Sequence, residues 1–204
     1  PASLKKSVMQ IGLDEAGRGP ALGPLVVAAV AGDARLRERF KEWGVKDSKA
    51  FGGPAAAIPK RAELAGKIMA ESRAEFEIVG PSEVDRVGID EAERVGARAV
   101  LGRLGPVSAI VCDGKRIFGI LSHEFPGLRA LDKADSIDIT VSAASIVAKH
   151  IRDLEWSRIR DRYDPHFGPL RGGGYPNVAT LNFLKAYFQT TGDLPPEARR
   201  SHPA

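Results

Sequence analysis

Cysteine is almost absent from this 204-residue sequence, which contains only Cys112. A single cysteine excludes an internal disulfide and any zinc site built from several thiolates. Such scarcity is typical of proteins kept in a reducing compartment. We therefore expect a cytoplasmic protein whose fold depends neither on disulfides nor on structural zinc.

Long apolar runs are also missing. The first ten residues carry two lysines and no apolar segment of the kind that secretory signals contain. No run approaches the roughly 18 apolar residues that a membrane-spanning helix needs. We therefore expect a soluble, untargeted chain without a membrane partner.

The sequence lacks the usual nucleotide-binding loops. Residues 17–23 read G-R-G-P-A-L-G, which departs from the dinucleotide fingerprint by one residue and lacks the Lys-Ser/Thr ending of a P-loop. Pro20 also removes one backbone donor. A dehydrogenase or an ATPase is therefore disfavoured. Two interpretations stay open: a plain turn, or a loop whose backbone approaches a sugar or phosphate beside the guanidinium of Arg18.

The composition that is present suits one compact, hydrophobic core. Hydrophobic residues make up 43% of the chain, and 30 basic residues against 26 acidic ones give a net charge of +4. This balance permits a polyanionic partner without requiring one.

Short apolar runs bounded by glycine and proline predict buried strands, and helical periodicity alternates with them further on. The predicted strands are 8–13, 24–31, 74–79 and 108–114. The predicted helices are 34–43, 59–72, 90–104, 140–163 and 177–189. This order predicts an α/β or α+β domain whose helices cover a sheet. The glycine-rich stretch 167–176 is the candidate boundary of a small C-terminal part.

Acidic residues follow the predicted strands. Asp14 and Glu15 end the first strand, Asp113 ends "AIVC", and Asp135 precedes the longest helix. If these acids converge, they form a hard oxygen site suited to Mg²⁺ or Mn²⁺. Each acid taken alone is more often a turn residue or a helix cap than a metal ligand. Because adjacent strand residues point to opposite faces, Asp14 and Glu15 would share a metal only if the strand breaks there.

One face of the longest helix combines basic residues with an aromatic ring. Its members are Lys149, Arg152, Asp153, Trp156 and Arg160. Such a stripe fits contact with a nucleic-acid backbone, and it also fits the commoner case of a solvated helix face. Tyr175, in "GGGYPN", is either an exposed ring available for stacking or a turn tyrosine without a role.

Five segments together resemble the ribonuclease HII family, the type 2 ribonucleases H. They are "IGLDEAGRGPALGP" (11–24), "VKDSK" (45–49), "KADS" (133–136), "SAASIVAKHIRD" (142–153) and "GGYP" (173–176), in the family's order. The resemblance implies an α/β, ribonuclease H-like fold with a central five-stranded mixed sheet flanked by helices. It also implies a catalytic domain at 1–165 and a small helical C-terminal extension at 166–204 that contributes to substrate binding.

The resemblance further implies an enzyme, a metal-dependent endoribonuclease. It would hydrolyse the RNA strand of RNA/DNA hybrids and incise DNA 5′ of embedded ribonucleotides, as in ribonucleotide excision repair, leaving 3′-hydroxyl and 5′-phosphate ends. Two divalent ions, Mg²⁺ or Mn²⁺, would be held by the family's four acids, matched here by Asp14, Glu15, Asp113 and Asp135. A nucleic-acid-binding module without catalysis is the alternative, and the presence of all four acids argues against it.

Substrate contacts carry over by the same motifs. Gly17, Arg18 and Gly19 would sense the ribose 2′-hydroxyl, and Tyr175 would pack on the adjoining deoxyribose. The candidate phosphate contacts are Lys49 and Lys149. The ending "PPEARRSHPA" resembles that of archaeal and eukaryotic-type members. This ending contains no Q-x-x-apolar-x-x-aromatic-aromatic segment, which disfavours docking on a sliding clamp. We expect the protein to be a monomer.

Overall fold

The computed structural model describes residues 9–45 and 54–202. The strands are β1 (Gln10–Ala16), β2 (Leu25–Gly32), β3 (Arg73–Val79), β4 (Ala109–Asp113) and β5 (Leu128–Leu131). The helices are α1 (Ala34–Glu42), α2 (Pro54–Glu71), α3 (Pro81–Val87), α4 (Ile89–Leu104), α5 (Lys115–Phe118), α6 (Ile139–Phe167) and α7 (Val178–Thr191). Short 3₁₀ turns lie at Gly119–His123, Ala134–Ser136 and Gly172–Gly174.

The five strands form one mixed sheet in the order β3-β2-β1-β4-β5. β1 pairs antiparallel with β2 and parallel with β4. β2 and β3 are antiparallel, whereas β4 and β5 are parallel. The predicted fold class, a five-stranded mixed sheet flanked by helices, is therefore confirmed.

Apolar packing covers both faces of the sheet, and β2 is buried along its whole length. Val27 and the residues at every second position of β2 on either side of it pack with α4 in one core cluster. Val26 and its alternate neighbours pack with α1, α2 and α6 in another. The continuous run "LVVAAVAG" reflects this burial on two sides.

Helix α6 lies very close to β1. A Cβ on Gly12 would stand 2.1 Å from the carbonyl carbon of Thr140, in the first turn of the helix. The small residues 142–145 of α6 are also buried against the sheet. Asp138 caps the helix by accepting from the N–H of Thr140 at 2.9 Å. The approach places the turn before α6 beside β1.

A third apolar cluster joins the end of α6 to the chain that follows it. It contains Leu22, Ile159, Tyr163, Leu170, Phe183 and Ala198. Leu22 belongs to the loop after β1, so this loop is anchored in the C-terminal packing.

Three short elements escaped the sequence pattern. β5 and α5 have only four residues each, and α3 has seven, beginning at Pro81 after Gly80. A helix of one or two turns, or a strand of four residues, is too short for periodicity to mark it. Across the described ranges, no helix has the length and apolar character that crossing a membrane requires.

Cys112 is fully buried in β4, and burial raises the pKa of its thiol.

Candidate active site

Three carboxylates converge at one edge of the sheet. Asp14 comes from β1, Asp113 is the last residue of β4, and Asp135 lies in the turn before α6. Because β1 and β4 are parallel neighbours, their C-terminal ends meet at the same edge. One carboxylate oxygen from each residue lies within 4.8 Å of the other two. The structure thus brings together three of the four predicted acids.

Hydrogen bonds fix the orientation of these side chains. Asp113 Oδ1 accepts from the N–H of Ala134 at 2.8 Å, which ties β4 to the turn before α6. The Ser145 hydroxyl bonds the carboxylate of Asp14, and Lys149 Nζ donates to Ser145 Oγ at 2.8 Å. The ammonium group of Lys149 is therefore connected to the carboxylate of Asp14 through the Ser145 hydroxyl.

Burial makes the ionised form of this cluster costly. It raises the pKa of Asp14 to about 6, and the charge of Asp113 adds to this, while Ser145 and Lys149 oppose it. Burial also raises the pKa of Asp113, to which the charge of Asp135 contributes. Converging carboxylates that repel one another form the oxygen donor set that hard divalent cations prefer. The residues present therefore fit Mg²⁺ or Mn²⁺.

Glu15 lies next to this cluster but not among its three close members. The strand does not break between Asp14 and Glu15, as it would have to if both were to bind one metal. β1 runs regularly to Ala16, with Asp14 opposite Ala28 and Glu15 opposite Val27. Adjacent residues of a regular strand point to opposite faces. The half-buried Glu15 lines the neighbouring cleft. Burial raises the pKa of its carboxyl, and the charge of Asp14 raises it further.

A cleft of about 520 Å³ opens beside the carboxylates. Its walls include residues 15–20, the side chain of Lys149 and the ring of Tyr175, which is 53% exposed. Gly17 has a φ of +93°, a conformation that side-chain-bearing residues rarely adopt. Gly19 touches the ring of Tyr175. The predicted loop and the predicted tyrosine thus form one surface.

The guanidinium of Arg18 is fixed, as the sequence suggested, but by acids of α4. It donates from Nη1 to Glu93 and from Nη2 to Asp90, both at 2.5 Å. Arg116 also binds Asp90 and, with Arg18, lowers the pKa of Asp90 to about 2. Glu93 is fully buried, and burial raises the pKa of its carboxyl despite the neighbouring cation.

The basic face of α6 is only partly a solvent-facing stripe. Lys149, Arg152, Asp153 and Trp156 line the cleft, whereas Arg160 does not. Arg152 is only 7% exposed, so neither the exposed-contact nor the solvated-face interpretation describes it. Asp153 is paired with Arg61 of α2 at 2.6 Å.

Lys49, the other candidate phosphate contact, lies outside the described residues. Sequence reasoning missed Glu93, Ser145 and Arg199. Glu93 had a signal, because it falls on the face of α4 that carries Gly96 and Val100. Ser145 and Arg199 had none, since both act through contacts between distant segments.

Comparison with known proteins decides the family. The family model for ribonuclease HII matches residues 11–202. The chain belongs to the ribonuclease HII family. It is 38% identical to ribonuclease HII of Thermococcus sibiricus, over 93% of this chain and 86% of the relative. It is also 38% identical to ribonuclease HII of Cenarchaeum symbiosum, over 93% of each protein.

Solved structures agree with this assignment. Ribonuclease H2 from Pyrococcus horikoshii OT3 superposes with a TM-score of 0.82 at 31% identity, covering 95% of this chain and 93% of that one. The PCNA:RNase HII complex of Archaeoglobus fulgidus gives 0.79 at 29% identity, covering 97% and 96%. Bst-RNase HIII in complex with Mn²⁺ shares the fold, with a TM-score of 0.76 at 23% identity, covering 97% and 68%.

Membership of the ribonuclease HII family makes the chain a metal-dependent ribonuclease, a hydrolase. The family's activity is endonucleolytic cleavage of RNA in RNA/DNA hybrids. The acidic cluster at the end of β1 and β4 is compatible with the metal that this activity needs.

Proposed function

We propose that this ribonuclease cleaves the RNA strand of RNA/DNA hybrids and nicks duplex DNA on the 5′ side of an embedded ribonucleotide. The products would carry 3′-hydroxyl and 5′-phosphate ends. One observation carries the proposal: a cluster of three carboxylates, within 4.8 Å of one another, adjoins a cleft walled by the Gly17–Gly19 loop and Tyr175. A cation site and a surface suited to a sugar thus lie side by side.

Asp14, Asp113 and Asp135 would hold divalent ions, Mg²⁺ or Mn²⁺, two in all. Glu15, which lines the neighbouring cleft, would serve an ion that Asp14 does not share. Such ions, when bound, lower the pKa of an attacking water and neutralise charge on the leaving 3′ oxygen. The protein keeps the ligand oxygens in place: the Ser145 hydroxyl orients Asp14, and the Ala134 N–H orients Asp113.

The loop after β1 would recognise the ribose. Gly17 and Gly19 have no side chain to separate the main chain from a 2′-hydroxyl. The guanidinium of Arg18 is already bonded to two acids of α4, which supports a main-chain role for this residue. The half-exposed ring of Tyr175, held against Gly19, would pack on the adjoining deoxyribose.

Phosphates would be met by basic groups along the cleft. Lys149 lines the cleft near Asp14, and Lys49 remains a proposed contact by its motif alone.

We assign residues 1–165 to the catalytic domain and 166–204 to an extension that supplies Tyr175. The Archaeoglobus fulgidus relative in complex with PCNA runs against our expectation that clamp docking is disfavoured, so we propose no clamp contact either way.

The test is cleavage of a DNA duplex that contains one ribonucleotide, with Mg²⁺, Mn²⁺ or EDTA. We expect a nick 5′ to the ribonucleotide with either metal and none with EDTA. Asp14→Asn should abolish cutting and leave binding intact or stronger. Asp161→Asn, which changes an exposed carboxylate of α6, is the matched control and should cut normally. Binding without cutting under every metal condition would instead identify a nucleic-acid-binding module.

A further inference from the structure

Arg199 bonds the loop after β1 at four points. This residue follows α7 and is only 5% exposed. Its guanidinium donates to the carbonyl oxygens of Gly17 at 2.6 Å, Arg18 at 3.1 Å and Gly23 at 2.9 Å. Its main-chain N–H donates to the carbonyl of Ala21 at 2.9 Å. One buried side chain therefore sets the direction of the peptide groups on both sides of Arg18.

A second buried arginine extends this arrangement to the tyrosine. Arg152 Nη2 donates to the carbonyls of Leu22 at 2.8 Å and Gly173 at 3.1 Å. The N–H groups of Ala21 and Leu22 donate to Gly174 O at 3.0 and 3.1 Å. The Gly17–Gly23 loop and the turn that carries Tyr175 are thus joined into one unit.

The two arginines are bound to carbonyls and not to acids. Among the described residues, neither Arg199 nor Arg152 forms an ion pair with a carboxylate. Burial and the charge of Arg152 lower the pKa of Arg199 to about 10, so it stays protonated at neutral pH. Burying two cations near each other costs free energy. All of the Arg199 side-chain bonds go to the loop after β1, and those of Arg152 join this loop to the turn that carries Tyr175. An arrangement this costly indicates a role in holding the loop in place.

We propose that Arg199 is a positioning residue that orients the Gly17–Gly19 backbone for recognition of the ribose 2′-hydroxyl. The planar guanidinium presents several donors in a rigid fork, whereas a lysine ammonium is a compact charge on a flexible stem. Arg199→Lys therefore keeps the charge and loses the geometry. The inference rests on the proposed function, because it assumes that this loop meets the ribose.

Binding discrimination gives the test. In the full-length Asp14→Asn background, which cannot cut, Kd is measured for a DNA duplex with one ribonucleotide and for the same duplex in all-DNA form. The discrimination ratio is the Kd for the all-DNA duplex divided by the Kd for the duplex with one ribonucleotide. Because both constants come from one preparation, this ratio does not depend on the folded fraction. We expect Arg199→Lys to reduce this ratio at least fivefold. Arg199→Gln, which can reach one carbonyl but carries no charge, should reduce it similarly and serves if the lysine variant folds poorly.

Arg200→Lys is the matched control. Arg200 is the exposed neighbour, and its guanidinium is paired with Asp193 at 2.7 Å. The same chemical change there should leave the ratio unchanged. A ratio preserved in both Arg199 variants would overturn the positioning role while leaving the proposed function standing. A ratio near one in the parent would remove 2′-hydroxyl recognition itself, and the inference with it.

Discussion

The ring of Tyr175 lies directly against the Cα of Gly19: a Cβ at position 19 would approach the ring's Cε1 to 2.8 Å. Gly19 belongs to the loop after β1, whereas Tyr175 follows the glycine-rich turn Gly172–Gly174. The contact forms one wall of the cleft beside the carboxylates. An alanine at position 19 would therefore require the ring of Tyr175 to move.

Gly19→Ala should displace the ring of Tyr175 and lower kcat/KM on a duplex with one ribonucleotide about tenfold, a loss equal to roughly 1.4 kcal/mol of transition-state stabilisation. Steady-state cleavage in Mg²⁺ measures this. Gly102→Ala on α4 is the control, because a Cβ there meets nothing within 4 Å. Equal rates for Gly19→Ala and the unmodified protein would show that the ring need not stand where the structure has it.

Tyr175→Ala should harm cleavage at a single embedded ribonucleotide more than cleavage of a long RNA/DNA hybrid. The reason is that only the first substrate forces every cut to a ribose–deoxyribose junction. Tyr175→Phe keeps the ring and should retain most activity on both substrates. An equal loss on both substrates in the alanine variant would contradict a junction role.

Glu93→Ala should lower the free energy of unfolding by about 2–4 kcal/mol, because it opens a buried cavity and leaves the Arg18 guanidinium with one acid. Asp90→Ala removes the partly exposed partner of the same guanidinium. That change should cost about 1 kcal/mol or less, as for surface ion pairs. Denaturant unfolding of both variants makes the comparison, and similar losses would argue against a special role for burial.

The contribution of Asp14 to the stability of the metal-free protein should fall as pH rises from about 4 to 6. Asp14 has a pKa near 6 in the folded protein against 3.8 ordinarily, so its contribution is fully present at low pH and is lost as the carboxyl ionises. Asp14→Asn removes the cost of holding this buried carboxylate ionised and should therefore raise the free energy of unfolding at pH 7 by about 1–3 kcal/mol. Denaturant unfolding in EDTA across this pH range tests the difference between the two proteins. Parallel pH curves would show that Asp14 titrates normally.

Much of the fold was predictable because burial leaves a mark on the sequence. The run 24–31 indicated a buried strand, and the structure places β2 there with every residue buried. The acids at positions 14, 113 and 135 stood out because each ends or adjoins a buried element.

The contacts that position the site were not predictable in this way. Arg152 has the spacing of an exposed helix face, yet the C-terminal segment and the loop after β1 cover it. Arg199 sits in a polar stretch without periodicity, and its acceptors are main-chain carbonyls that no sequence pattern displays. The course of β1 through Glu15 depended on pairing with β2, which local glycine content does not reveal.

The burial of Cys112 has a practical consequence. It is the sole thiol of the chain and has no exposed surface, so maleimide and iodoacetamide reagents find no native target on the folded protein. A cysteine introduced at a chosen exposed position would carry a fluorophore or spin label alone. Distances between the enzyme and a labelled duplex then become measurable without first removing any natural residue.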